Sequence, residues 1–115
     1  MGDRRQQIQA VIGSTSGGGG GSGTPPTTPL IYNLPMASAN TEYSQALPGT
    51  VKKFTVKLRS DAAFRLAYGA GETATQYLSV PKGCSATVDL IEFTAGTLYI
   101  RSPQAGQVAE IETWS

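Results

Sequence analysis

The chain divides near residue 36 into two stretches that no single kind of structure can accommodate. Residues 1–36 hold five consecutive glycines, Gly17 to Gly21, and the run Thr24-Pro25-Pro26-Thr27-Thr28-Pro29. Glycine loses the most conformational entropy when fixed, and a proline-rich run favours a stiff, extended backbone. Residues 37–115 instead alternate apolar and polar side chains with period two, the pattern of half-buried strands. The expected organisation is an extended N-terminal arm, residues 1–36, ahead of one compact all-β domain, residues 37–115.

The alternation is clearest at Lys53-Phe54-Thr55-Val56-Lys57-Leu58-Arg59, where Phe54, Val56 and Leu58 point one way and the cations and Thr55 the other. Phe64, Leu66 and Tyr68 repeat it after a Ser60-Asp61 turn, and Gly69-Ala70-Gly71 breaks that strand. Tyr43 and Leu47, Tyr77 to Val80, Cys84 to Leu90, Leu98 to Arg101 and Val108 to Trp114 supply the remaining strand candidates. About seven short strands at roughly 8–12-residue spacing, with turn signals between them, predict an antiparallel β-sandwich, jelly-roll-like. No strand–helix alternation suggests a parallel sheet.

Composition narrows function mainly by exclusion. Histidine is absent and Cys84 is the only cysteine. The commonest general base and the commonest transition-metal ligand are therefore missing, and no internal disulfide or cysteine cluster can form. Cys84 alternates with core positions and is expected to be a small buried hydrophobe. Asp61, Asp89, Glu92, Glu110 and Glu112 fall in turns or on outward faces, without the facing pair that glycosidase chemistry needs. No enzyme activity, cofactor or metal is expected. A net charge of +1 gives no case for nucleic acid, and no apolar run approaches a membrane span. The N-terminus lacks the apolar region of a secretory signal, so synthesis in a reducing cytoplasm is expected.

Three local features invite a functional reading. Gly69-Ala70-Gly71-Glu72-Thr73 glances at a phosphate loop but lacks the Gly-Lys-Ser/Thr ending, so a hairpin turn is expected. Lys52, Lys53, Lys57, Arg59 and Arg65 form the basic cluster, read as a solvated face or as a surface complementary to a neighbouring subunit. Tyr77, Tyr99 and Trp114 would form a stacking platform for a carbohydrate if one face exposed all three.

The arm carries the apolar residues with least to do in the domain. Ile8, Val11 and Ile12 make one stripe on a short helix predicted over residues 3–12, a length marginal without a partner. Leu30, Ile31, Tyr32 and Leu34 make a second cluster. Fully extended, residues 1–36 reach on the order of 120 Å at about 3.3 Å per residue. These seven side chains are the expected partner-binding residues.

Residues 37–115 also resemble, in overall pattern, a small β domain of tailed-bacteriophage virion proteins. The pieces that carry the likeness are the Lys53–Arg59 strand, Phe64-Arg65-Leu66-Ala67-Tyr68-Gly69, Tyr77-Leu78-Ser79-Val80-Pro81-Lys82-Gly83 and the ending from Leu98 to Trp114. The resemblance implies a particle component: a capsid decoration (cement) protein on the virion surface, or a head–tail neck or collar protein or fibre anchor. Its partners would be the major capsid protein or other virion proteins, and its own copies as a trimer or dimer. No catalytic residue is carried over.

Overall fold

The computed structural model describes residues 27–89 and 91–115. The predicted helix and the residues Ile8, Val11 and Ile12 lie outside the described residues. Among the described residues ten strands form: β1 Pro29–Met36, β2 Thr41–Ala46, β3 Thr50–Val51, β4 Lys53–Leu58, β5 Phe64–Ala67, β6 Leu78–Val80, β7 Ala86–Val88, β8 Phe93–Thr94, β9 Thr97–Ser102 and β10 Gln107–Trp114. A single 3-10 turn, Glu72–Ala74, interrupts the β5–β6 connection. Every pairing is antiparallel.

The strands pair concentrically. β5 pairs β6, β4 pairs β7, β3 pairs β8, β2 pairs β9 and β1 pairs β10. The described strands thus form one antiparallel ribbon doubled back on itself. Two further pairings, β10 with β4 and β9 with β5, roll the ribbon up. The result is two four-stranded sheets: sheet A, in the order β1-β10-β4-β7, and sheet B, in the order β2-β9-β5-β6. This is a jelly-roll sandwich, as the strand spacing predicts.

Alternation places one set of side chains from each sheet between them. Sheet A contributes Met36, Phe54, Val56, Ala109 and Ile111, and sheet B contributes Phe64, Leu66, Leu98 and Ile100, all essentially without solvent access. Phe54, Tyr68 and Phe93 close one end as an aromatic trio with centroids 5.6–6.3 Å apart. Gly96 belongs to this end because a Cβ there would stand 2.2 Å from carbons of the Phe93 ring.

The folded unit begins earlier than the predicted boundary at residue 37. Residues 29–36, assigned to the arm from composition, are strand β1, paired along its whole length with β10. Proline is tolerated because of where it falls. Thr28 and Ser115 exchange both backbone hydrogen bonds, at 3.2 and 2.9 Å. Even-numbered residues of β1 therefore turn their peptide groups to β10, and Pro29, Ile31, Asn33 and Pro35 turn theirs to the open edge. Two of the four edge positions thus have no N–H to offer, which guards the edge against pairing with another strand.

Candidate functional site

The features with most to offer a partner, among the described residues, are surfaces. Among the described residues no three His, Cys, Asp or Glu side chains gather as a metal would require, and no helix is long and apolar enough to cross a membrane.

Strand parity sets Ile31 apart from the other β1 residues of the predicted partner-binding cluster. Tyr32 and Leu34 turn inward and pack, half-buried, on the core. They serve the fold. Ile31 points outward and is 69% exposed, and Leu30, on the same face as Tyr32 and Leu34 but near the start of the strand, is 44% exposed. Across the ladder Ile31 faces Glu112, and Pro29 faces Trp114. These residues join directly to the 26 that precede Thr27 in the sequence.

Beyond that margin, the outer face of sheet A is polar. Glu110 accepts a hydrogen bond from Arg59 Nε at 2.8 Å and sits 3.1 Å from Lys57 Nζ. Those contacts, Arg59's first, hold the Glu110 carboxyl below the usual carboxylate range. Thr55 and Thr87 share a hydroxyl bond of 3.0 Å across the neighbouring pair of strands. The basic cluster expected from sequence is therefore divided. Lys57 and Arg59 are ion-paired on sheet A, whereas Arg65 lies on the outer face of sheet B.

Sheet B has the part of its outer face over β5 covered by its own β5–β6 connection, while Ser44 and Ala46 of β2 and Ser79 of β6 stay exposed. Glu42, on the edge strand β2, accepts from the Gly71 N–H at 2.8 Å, the Thr73 N–H at 3.2 Å and the Thr73 hydroxyl at 2.5 Å. Chiefly the Thr73 hydroxyl, then the Gly71 amide, lower the Glu42 carboxyl from its ordinary value. From the other side Arg65 donates to the Thr73 carbonyl at 3.1 Å and lies 4.2 Å from the centre of the Tyr77 ring. Thr73 is buried under this clamp, and so is Ala67 on the outward side of β5. The Gly69–Thr73 segment is thus the start of a held cover. Sequence reasoning missed Glu42, because its partners lie about thirty residues away; Gly71 at φ +79° was the local trace.

Two further expectations are corrected. Cys84 is exposed, not buried. Its N–H closes a turn onto the Pro81 carbonyl at 3.2 Å, and β7 starts only at Ala86. The strand that carries the alternation starts two residues later, after that turn. Cys84 instead borders an open groove of about 310 Å³ with Lys57, Arg59, Ser60 and Asp61. The three-ring platform does not form either. Tyr99 points outward from β9 in sheet B, and Trp114 points outward from β10 in sheet A, on opposite sides of the sandwich.

A scan against protein-family models finds no match, and a search of curated proteins finds none either.

Proposed function

We propose that this protein is a non-enzymatic structural component of a bacteriophage virion, a decoration protein that staples neighbouring capsid subunits. The observation that carries the reading is the exposed Leu30–Ile31 pair on a proline-guarded edge strand that runs straight into residues 1–26. A margin of this kind engages a partner through side chains, not by adding a strand. The preceding segment supplies a second apolar stripe, Ile8, Val11 and Ile12, on a glycine-rich tether. Segments of this composition fold on binding and spread contact over a long track, and many copies per particle add small energies by multivalency. Jelly rolls are frequent among capsid proteins, which supports the reading by analogy of fold alone.

The test is a copy count. Virions of the phage that encodes the chain are purified, and its abundance is measured against the major capsid protein. Abundance comparable with the capsid protein supports a decoration protein, and particles rebuilt with Ile31→Asp then release their genome at a lower temperature. A few copies at one vertex would move the protein to the neck or collar. Absence from the particle would overturn the reading.

A further inference from the structure

The large apolar side chains left exposed among the described residues fall at two places. Leu30 and Ile31 occupy β1. Tyr68, Tyr77 and Leu78 bracket the β5–β6 connection and open β6, with Leu78 53% and Tyr68 51% exposed. The sheet orders put these places on opposite margins of the sandwich. β1 lies beside β2 on one side, and β6 and β7 end their sheets on the other.

We propose that the two margins are the halves of one heterologous contact, with the β1 margin of one copy seated on the β6 margin of the next. The patches are unlike, which suits head-to-tail association better than a two-fold contact. One is aliphatic, with the exposed carboxylate of Glu112 across the ladder from Ile31. The other is aromatic and flanked by cations: Arg65 over the Tyr77 ring, and exposed Lys82 just past β6. The nearby Glu72 carboxylate is turned back over Gly69, where a Cβ would meet it at 2.6 Å. Asp61, whose carboxylate lies beside Gly83, is an acidic group near Lys82 on the β6 side; the remaining charges named are complementary between the margins.

β1, with eight residues, is roughly 27 Å long, whereas β6 and β7 are roughly 10 Å each, so the contact on that side includes the connections that flank β6 as well as the strand. Pro29 and Pro35 prevent the edge from zipping onto a second strand, so the contact is made by side chains and ends with its neighbour. Residues 1–26 join the fold at this margin and therefore leave from the contact itself. Fully extended they span at most about 85 Å, against 43 Å for the longest dimension of the fold.

The experiment is light scattering on the full chain, with Ile31→Asp, Leu78→Asp and an equimolar mixture of the two. Both sites are exposed, and far-UV circular dichroism and melting confirm that the variants fold. The wild type is expected to be an oligomer, and each single variant a monomer with at least about tenfold weaker association. The mixture is expected to restore a species of two chains that grows no further, because only one good pair of margins remains. A monomeric wild type overturns the proposal, as does dissociation by Ile31→Asp alone, which would indicate a β1-to-β1 contact. Two variants that both stay assembled also overturn it. The contact stands apart from the virion assignment: a monomer found in virions would sink the contact only, and an oligomer absent from them would sink the assignment only.

Discussion

The two sheets bury equivalent inner faces and differ in how they treat their outer faces. Sheet A leaves its outward side chains in solvent, where Glu110 pairs with Lys57 and Arg59 and Ile31 is bare. Sheet B folds its own loop over β5 and ties it down with Glu42 and Arg65, so that outward-pointing Ala67 of β5 and Thr73 of the loop are buried. Shared topology therefore says little about which surface is available. A ten-residue connection held by two side chains from different strands is enough to take the part of a face over β5 out of use.

The largest effect tests whether the sheets are one unit. Phe54→Ala removes a ring held between Tyr68 and Phe93 and is expected to cost about 3–5 kcal/mol in urea denaturation. Probes on either sheet should lose signal in a single transition. Separate transitions would mean that the sheets are independently stable and the comparison concerns two modules.

A smaller effect sharpens the difference. Glu42→Gln weakens three hydrogen bonds to the cover and should cost about 1 kcal/mol, modest because the carboxylate is near solvent. Amide exchange over residues 68–77 should accelerate while β4 and β10 stay protected. The Glu42 carboxyl is lowered in the fold, so its contribution is complete above the ordinary carboxylate range and fades as pH falls through the folded value. Wild type and variant should therefore converge in stability in acid. A constant gap down to the acid limit would refute the clamp.

The smallest effect belongs to sheet A. Glu110→Gln is expected to shift Tm by no more than about a degree, and about 0.5 M salt should erase the difference, as for an exposed ion pair. A loss as large as that of Glu42→Gln would mean that the two outer faces are equally engaged in holding the fold.

Period-two alternation made the central strands readable. Phe54-Thr55-Val56, Phe64-Arg65-Leu66 and Leu98-Tyr99-Ile100 each place a buried pair around an outward residue, so spacing alone sufficed for the sandwich. What escaped had non-local causes. β1 was hidden by Pro29 and Pro35, which read as breakers until the ladder shows that both sit where no N–H is required. β3 and β8 have two residues each and exist only through one another. Cys84 continued an alternation that the turn at Pro81 had already ended. Of the candidate surface, Leu30 and Ile31 were visible as apolar residues without a partner. That Tyr32 and Leu34 face inward instead follows from register against β10, which no local pattern encodes.

The concentric pairing also bears on how the chain can reach this state. Leu66 and Leu78 meet across 12 positions of sequence, Pro29 and Trp114 across 85. Closing the outer loop directly from an open chain costs about 1.7 kcal/mol more in entropy than closing the inner one. Taken from the inside outward, each pair instead shortens the span that the next must close, so distant partners arrive by successive local steps. The outermost strand is then the last to join. Until it does, β10 has a free flank and Tyr32, Leu34 and Met36 are still in water. In that interval the chain is open to accepting the same strand from a second molecule, a hazard that the finished edge, with its two prolines, no longer presents.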